Sequence, residues 1–391
     1  MNVLYLSSLL PRDLFDALLK VDKSSYVVAP QKFHQILVDG MVQNGHSVKA
    51  ISYLPESLPY QANLEEEGVE YFFTKYHSTP GIKHLQISLS TFSIIRSLIR
   101  NGFKPDVIIC DTLKVSLCLG ALLSKYLMQT RVTGIVTDIM GVFVHKDTNM
   151  IRNAATIISK KYITKFDNYI LLTKQMNEVV NPYHKPFIVM EGVCQQSLNS
   201  YKKNPEDQSS SPSNIRNLFY AGGRPSKDGV DLLIEAFKQI ENDNIRLNIF
   251  GDMPGHIVGI DPIDSRIVYH GVVNNAQIIE EERNSYLLIN PRPTGETYTL
   301  YSFPSKVMEY MSTGVAMVTT KLAGIPDEYF NHSYTFETCS IECYRDTLKR
   351  ILELPEQEVF EKGNSARKFV TEQKNNLIQT ERILDFTTNS I

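Results

Sequence analysis

The sequence predicts an α/β protein built from two successive Rossmann-like, doubly wound domains. Short runs rich in Val, Ile and Leu alternate with longer segments of helical periodicity along the chain. The runs are continuously apolar rather than alternating, which is typical of parallel strands covered on both faces. This pattern breaks once, at a polar stretch near the middle, and then begins again. Two doubly wound units place ligands at the carboxyl ends of the strands.

The first half of the chain contains six predicted strands. They are residues 2–8, 48–54, 106–110, 131–138, 168–173 and 187–192. Between the first two strands, apolar residues recur at helical spacing from Phe33 to Met41, and Gly45 suits the end of a helix. Strand, helix and strand therefore form one right-handed crossover of a parallel sheet.

The second half repeats this organisation after a linker. Residues 199–216 are polar, rich in Ser and Pro, and without periodicity, so they predict the linker. Five strands follow, at residues 217–223, 246–252, 266–271, 285–291 and 316–321. We therefore expect an N-terminal domain at 1–198 and a C-terminal domain at 217–364. Residues 365–391 predict one long amphipathic helix, able to pack back on the first domain or to cap the second.

Composition narrows the classes of function. A length of 391 residues favours two domains, and a net charge of −3 argues against a nucleic-acid partner, which needs a basic face. The five cysteines form no CxxC pair or zinc spacing, so we expect free thiols in a reducing cytoplasm. The N-terminus lacks the basic region and cleavage site of a signal peptide. No apolar run approaches the ~20 residues that span a bilayer, although contact with a membrane surface stays open.

The stretch YSFPSKVMEYMSTGVAMVTTKLAGIP, residues 301–326, predicts an anion site. Pro304 suits the first turn of a helix that ends at Gly314, and the first N–H groups of that helix have no partners inside it. Ser305, Lys306 and Glu309 lie close to one face. Phosphate-binding groups followed by a carboxylate that accepts two hydroxyl hydrogen bonds form the layout of a nucleotide site. The alternative is an ordinary helix with a solvated Lys and Glu.

A second motif follows the first strand of the second half. That strand ends at Gly222 and Gly223, Arg224 and Lys227 follow on a short loop, and a helix begins near Gly229. Glycines at such a turn allow the backbone to approach a ligand, and the two cations would stabilise the charge of a diphosphate leaving group. The alternative is a tight turn with two exposed cations.

Together these motifs resemble the nucleotide-sugar-binding half of family 4 glycosyltransferases of the GT-B fold. The resemblance rests on GGRPSKDGVDLLIEAF and on SFPSKVMEYMSTG followed by GIP. Residues 171–193 are also similar to the closing segment of the N-terminal half in bacterial members that build surface polysaccharides. The resemblance implies two Rossmann-like domains that face each other across a cleft. The family roles carry over to Arg224 and Lys227, which hold the donor diphosphate, and to Glu309, which holds the ribose.

One position departs from the family pattern. The family has two glutamates separated by seven residues, the earlier one touching the donor sugar, and this chain has Tyr301 at the earlier position. Tyr301 donates one hydrogen bond but carries no charge at pH 7. Glu296 is near in sequence and is a candidate substitute. The departure leaves the sugar, and activity itself, open.

In the first domain, Asp138 is the candidate for an acceptor contact or a general base, because it ends a predicted strand. The alternative is an ordinary helix N-cap. Asp111 is a weaker candidate of the same kind. Glu191 ends the last predicted strand of this domain. It either lies near the expected cleft or forms part of a turn.

The resemblance implies transfer of a sugar from a nucleotide-diphosphate sugar, with a UDP-sugar as the expected donor, to a saccharide acceptor that is lipid-linked or free. It further implies retention of configuration, no metal and no other cofactor, and a setting in capsule, exopolysaccharide or O-antigen synthesis at the inner face of the plasma membrane. The predicted catalytic residues are Arg224, Lys227 and Asp138. The predicted donor-binding residues are Gly222, Gly223, Glu296, Tyr301, Ser305, Lys306 and Glu309.

Two other functions stay open. A nucleotide-sugar epimerase would need acid and base groups facing the sugar, and none is evident in the sequence. A non-catalytic partner subunit would keep the fold without the contact to the donor sugar, as Tyr301 suggests. Separately, residues 93–105 and 158–166 are basic with apolar neighbours, which is compatible with a surface for anionic lipid or with solvated helix faces.

Overall fold

The protein forms two compact units. The computed structural model describes residues 1–21, 28–77, 79, 82–139, 157–195, 215–222, 228–253, 255 and 258–389. One unit comprises Met1–Val193 with Asn376–Ile391, and the other comprises Cys194–Asn375. Most of the predicted linker, residues 199–216, lies outside the described residues, and the first strand of the second unit begins at Arg216.

The first unit is built on one sheet of eight strands. The strands are β1 Asn2–Leu6, β2 Ser47–Ser52, β3 Asn63–Glu66, β4 Val69–Phe73, β5 Val107–Asp111, β6 Val132–Val136, β7 Asn168–Leu171 and β8 Phe187–Val189. Their order is β3-β4-β2-β1-β5-β6-β7-β8. All neighbours pair parallel except the edge hairpin β3–β4. The chain order reverses between β1 and β5, which is the switch point of a doubly wound sheet.

Helices cover this sheet. The helices, including one short 3-10 turn, are Arg12–Val21, Val28–Gln43, Lys83–Arg100, Val115–Met128, residues 157–162, Ile163–Lys165, Met176–Val180 and Asn376–Asn389. The Val28–Gln43 helix packs against Asn376–Asn389, where a side chain on Gly40 would collide with the backbone of Asn376. One core cluster joins the strands to both of these helices, from Val3 and Leu37 to Leu384.

The second unit is built on one sheet of seven strands. The strands are β9 Arg216–Ala221, β10 Ile245–Phe250, β11 Gly259–Ile260, β12 Ile267–Gly271, β13 Leu287–Asn290, β14 Ala316–Thr320 and β15 Tyr334–Phe336. Their order is β11-β12-β10-β9-β13-β14-β15, and only the short edge pair β11–β12 is antiparallel. The chain order reverses between β9 and β13.

Two core clusters occupy the two faces of this sheet. One centres on Leu218 and Leu233, and the other centres on Phe219 and Met311. Adjacent strand residues Leu218 and Phe219 thus point to opposite faces. The helices are Val230–Lys238, Asn275–Asn284, Thr297–Leu300, Ser305–Thr313, Asp327–Phe330, Ile341–Glu353 and Glu356–Gln373.

The predicted fold class is confirmed, and so are all eleven predicted strands. Four strands were not predicted: β3, β4, β11 and β15. The β3 strand and the short β11 lie at sheet edges as antiparallel partners, and their sequences lack the continuous apolar runs of the buried parallel strands.

The prediction of one long C-terminal helix is wrong. The structure has two helices, Glu356–Gln373 in the second unit and Asn376–Asn389 in the first. The break falls at Lys374 and Asn375, where the Asn375 side chain donates to the carbonyl of Thr371. Asn375 also forms an isolated parallel bridge with Cys194. Side-chain hydrogen bonds of this kind compete with the helix for backbone groups, and periodicity alone did not reveal the break.

Candidate functional site

The candidate site lies at the switch point of the second sheet. Gly222 directly follows β9, and Arg292 comes two residues after β13, so both stand at the carboxyl ends of neighbouring strands. Ligands of doubly wound sheets bind at this place because loops from the two halves of the sheet separate there.

The Ser305–Thr313 helix begins beside these strand ends. Pro304 precedes it with extended backbone, and Gly314 ends it in the left-handed conformation. The Tyr310 hydroxyl accepts a hydrogen bond of 3.2 Å from the backbone N–H of Ala221, the last residue of β9. This bond fixes the helix against β9, so that its first turn and Lys306 lie near Gly222. The predicted start and end of this helix are confirmed.

Asp228 is the centre of a charged cluster at this site. Its carboxylate accepts a hydrogen bond of 3.1 Å from the Tyr220 hydroxyl and one of 3.4 Å from Arg292. The Lys306 ammonium nitrogen lies 3.8 Å from the same carboxylate and 4.9 Å from the centre of the Tyr220 ring. We call Tyr220, Asp228, Arg292 and Lys306 the Asp228 cluster. It joins two cations around one carboxylate, so the cluster as a whole is positive.

Burial controls the protonation of the cluster. Burial lowers the pKa of the Lys306 ammonium, because its loss of water outweighs the attraction of Asp228, while Arg292 lowers the pKa further. Burial also raises the pKa of the Tyr220 hydroxyl, and the Asp228 charge adds a further, smaller increase. Tyr220 therefore stays protonated and donates a hydrogen bond. An added anion between the two cations would favour the charged form of Lys306.

Two glycines make room for the cluster. A side chain on Gly222 would collide with the Tyr220 hydroxyl and approach the Lys306 nitrogen to 2.7 Å. Gly229 has φ +77°, and a side chain there would collide with the carbonyl oxygen of Pro291. Gly229 also precedes the Val230–Lys238 helix, so its left-handed backbone places Asp228 over the end of β13.

The remaining predicted donor-binding residues lie on the same polypeptide segment. Ser305 is exposed in the first helical turn, and Glu309 is half-buried one turn further along. Tyr301 is half-buried at the end of the short Thr297–Leu300 helix, and Glu296 is exposed at its start without capping it through its side chain. The predicted contacts of these residues with a donor stay predictions.

Three predicted residues, Gly223, Arg224 and Lys227, lie outside the described residues. Their roles rest on the resemblance alone. Asp228, the next residue in the chain, is described and belongs to the cluster.

In the first unit, Asp138 follows β6 and is half-buried. Burial raises its pKa to about 6, against a smaller opposing effect of the hydrogen bond of 2.6 Å that it accepts from the N–H of Ile139. A carboxyl group that titrates near pH 6 suits a general base, so the prediction for Asp138 stands as a prediction.

Asp111, the weaker candidate, belongs to a buried hydrogen-bond network of the first unit. Asp111 is buried, and His34 lies 3.2 Å from its carboxylate; the other ring nitrogen of His34 lies 2.7 Å from the Tyr5 hydroxyl. Hydrogen bonding to His34 lowers the pKa of Asp111 against the opposing effect of burial. This network joins β1, β5 and the Val28–Gln43 helix. Glu191, after β8, is buried as well.

Sequence reasoning missed Asp228, Arg292 and Tyr220. Arg292 could have been found, because it follows a predicted strand at its carboxyl end. Asp228 follows the predicted Arg-x-x-Lys loop, where an aspartate is typical of an ordinary loop residue. Tyr220 gave no signal, since a tyrosine in an apolar strand is indistinguishable from a core residue.

Within the described part of the chain, no group of three or more His, Cys, Asp or Glu side chains is placed to hold a metal ion. All five cysteines are described and are free thiols, as predicted.

A family model matches the part of the chain that carries the site. Residues 215–353 match the family model described as glycosyl transferases group 1, and this range contains every residue of the Asp228 cluster. A comparison with curated protein sequences gives no significant match.

Solved structures match the whole chain. Sucrose-phosphate synthase from Thermosynechococcus elongatus matches with 11% identity and a TM-score of 0.65, over 100% of this chain and 98% of the other. HepE from Anabaena in complex with UDP matches with 13% identity and a TM-score of 0.61, over 100% of both chains. The catalytic domain of starch synthase IV from Arabidopsis thaliana, bound to ADP and acarbose, matches with 14% identity and a TM-score of 0.65, over 100% of this chain and 99% of the other.

The protein therefore has the GT-B fold. The group 1 match and the GT-B neighbours together support the class of glycosyltransferases.

Proposed function

We propose that the protein is a glycosyltransferase that binds a nucleotide-diphosphate sugar in its second unit. One observation carries the proposal: two cations, Arg292 and Lys306, share Asp228 beside the first turn of the Ser305–Thr313 helix. The helix end adds partial positive charge to theirs. A diphosphate is the ligand whose charge and size suit such a site.

Glu309 supports a nucleotide in place of a free diphosphate. It lies on the same helix as Lys306, one turn further from the helix start. A carboxylate there can accept hydrogen bonds from both hydroxyls of a ribose. Among the similar structures, HepE was solved with UDP and the trehalose-6-phosphate protein of E. coli with UDP-2-fluoro glucose, whereas starch synthase IV was solved with ADP. Uridine nucleotides occur in two of these three, and we propose a UDP-sugar as donor.

The proposed reaction transfers the sugar with retention of configuration. The bond from the anomeric carbon to the β-phosphate oxygen breaks, a bond to an acceptor hydroxyl forms on the same face, and the departing phosphate takes the hydroxyl proton. Arg292 and Lys306, with Arg224 and Lys227 by resemblance, would stabilise the charge of the leaving diphosphate. This charge stabilisation is the reason we propose a reaction without a metal.

The family 4 assignment, the setting and the acceptor belong to the proposal too. We place the enzyme in the cytoplasm, in the synthesis of capsule, exopolysaccharide or O-antigen, with a saccharide acceptor that is lipid-linked. Asp138, with its pKa of about 6, is proposed to contact that acceptor. No helix among the described residues is both long and apolar enough to cross a membrane.

Calorimetric titration tests the donor site. We expect UDP and one or more UDP-sugars to bind, with the same affinity in the presence of EDTA, and ADP, GDP and dTDP to bind more weakly. Glu309→Ala should weaken UDP binding by about 1–3 kcal/mol and leave pyrophosphate binding unchanged, because only the ribose contact is lost. Glu361→Ala, an exposed glutamate on another helix of the same unit, is the matched control.

Each outcome has a defined meaning. Unchanged UDP affinity in Glu309→Ala would contradict the ribose assignment. Loss of affinity on adding EDTA would contradict the metal-free donor site. Binding of UDP without release of UDP from any UDP-sugar, with a range of acceptors, would favour the non-catalytic alternative that Tyr301 suggests.

A further inference from the structure

The first unit carries a surface of unusual charge. Three segments, residues 82–104, 115–131 and 157–166, together contain nine Lys and Arg residues and no Asp or Glu. The chain as a whole has a net charge of −3, so the rest of it carries −12. We call these three segments the basic helical face.

The three segments lie on one side of the first sheet. They connect β4 to β5, β5 to β6 and β6 to β7, and each connection moves in the same direction across parallel strands. Right-handed crossovers in one direction place their helices on the same face. Contacts between neighbours agree: a side chain on Gly120 would collide with Ser88 and Thr91, and Lys125 donates to the carbonyl of Lys165 at 2.6 Å.

Most of the charge on this face is exposed. Lys83 pairs with Glu56 at 2.9 Å and Lys125 pairs with Asp167 at 2.7 Å. The other seven basic side chains are exposed; they are Arg96, Arg100, Lys104, Arg131, Lys160, Lys161 and Lys165. The charge therefore faces solvent and is available to an anionic surface.

The same face exposes apolar side chains. Among the described residues, nineteen large apolar side chains are exposed, and eight of them lie on these fifty residues. They are Ile82, Leu85, Leu89, Leu119, Tyr126, Leu127, Ile157 and Ile158. Leu85 and Leu127 are 59% and 65% exposed. Along the Lys83–Arg100 helix, the exposed positions 82, 85, 89, 93, 96 and 100 form one stripe, apolar at its start and basic at its end.

We propose that the basic helical face binds the surface of an anionic lipid bilayer. Exposed leucines and isoleucines enter the boundary between headgroups and acyl chains, and the basic side chains neutralise the anionic headgroups. A polyanion without an apolar phase would use the charges but leave the apolar side chains in water. The helices on the opposite side of the sheet, Val28–Gln43 and Asn376–Asn389, carry charges of both signs and lack this pattern.

Vesicle binding tests this proposal independently of the proposed function, because it needs neither donor nor activity. We would sediment the full chain with vesicles of phosphatidylglycerol and phosphatidylcholine, and with phosphatidylcholine alone. We expect binding to the anionic vesicles that weakens as ionic strength rises, and little binding to the neutral ones. No preference for anionic vesicles at low ionic strength would overturn the proposal.

Charge variants locate the surface. Lys160→Gln, Lys161→Gln and Lys165→Gln together should weaken binding by about fivefold per residue, on the order of 100-fold in total. The control, Lys349→Gln, Arg350→Gln and Lys368→Gln in the second unit, changes the net charge from −3 to −6 in the same way. An equal loss in both variants would show that total charge, and not this face, drives binding.

Apolar variants distinguish a bilayer from other polyanions. Leu85→Ala with Leu89→Ala should weaken vesicle binding several-fold, whereas Ile260→Ala with Ile263→Ala, exposed in the second unit, should not. These positions are exposed, so the variants fold even if the charge variants lose stability. If the leucine variant kept full affinity, or if duplex DNA bound as tightly as vesicles, the bilayer would be the wrong partner.

Discussion

Replacing Lys306 by Met separates the cost of burying this charge from its use in binding the donor. At 3.8 Å, attraction between Lys306 and Asp228 amounts to about 4 kcal/mol at an effective dielectric constant of 20. The Lys306 pKa is nevertheless lowered, so the loss of water exceeds that attraction. The Lys306 side chain is 23% exposed, and a Met there would fill similar space. We therefore expect the free energy of unfolding to change by less than about 1 kcal/mol.

In contrast, Lys306→Met should weaken binding of the donor. A charge-assisted hydrogen bond to phosphate contributes about 1.5–3 kcal/mol, so the Kd for UDP should rise by about 10- to 150-fold. Lys349→Met, on the Ile341–Glu353 helix of the same unit, is the control. Urea unfolding and calorimetric titration of each variant give both quantities.

The pH dependence of stability is an independent test of the lowered pKa of Lys306. A lysine whose pKa is lower in the folded than in the unfolded chain binds fewer protons when folded, so stability rises with pH between the two pKa values. Wild-type stability should therefore rise relative to Lys306→Met as the pH approaches 10.5. A variant that lost more than 2 kcal/mol of stability and kept its affinity for UDP would refute this reasoning, since Lys306 would then serve only to hold Asp228.

Three further predictions follow from local geometry. We expect wild-type kcat/KM to rise through pH 6, because the ionised Asp138 carboxylate accepts a hydrogen bond from the acceptor, and Asp138→Asn should abolish that rise. At pH 7 the variant should also raise the free energy of unfolding by on the order of 2 kcal/mol, because the partly buried Asp138 is charged there. Below pH 4 Asp138 is protonated in the folded chain, so the variant should bring no gain. Urea unfolding as a function of pH measures both values. Gly229→Ala should cost at least about 2 kcal/mol, through its φ of +77° and the collision with Pro291, whereas Gly295→Ala, in open space, should be nearly neutral in the same assay. Tyr5→Phe leaves a ring nitrogen of buried His34 unpaired, and thermal unfolding should show a loss of about 1–3 kcal/mol; an unchanged midpoint would contradict that bond.

Residues at its two ends predict the Ser305–Thr313 helix of the candidate site. The turn at Pro304 and the stop at Gly314 are properties of single residues, so the sequence was sufficient to define the bounds of the Ser305–Thr313 helix. The same holds for the eleven predicted strands, which each pair parallel with a neighbour and most of which are apolar runs covered on both faces. The edge strands β3 and β11, which pair antiparallel, carry no such run, whereas β8, an edge strand that pairs parallel, does.

The sequence by itself therefore determined the fold class, eleven of the described strands and the helix that carries Lys306 and Glu309, because each of these depends on residues near one another in the chain. The tertiary structure alone decided the partners of Lys306. Tyr220, Asp228 and Arg292 come from three separate segments, and they meet only because β9 and β13 are neighbours in the sheet. It also decided that Asp111 pairs with His34, and that nine basic residues from three segments of the chain lie on one face. Such groupings depend on strand order and crossover hand, which no local pattern in a single sequence specifies.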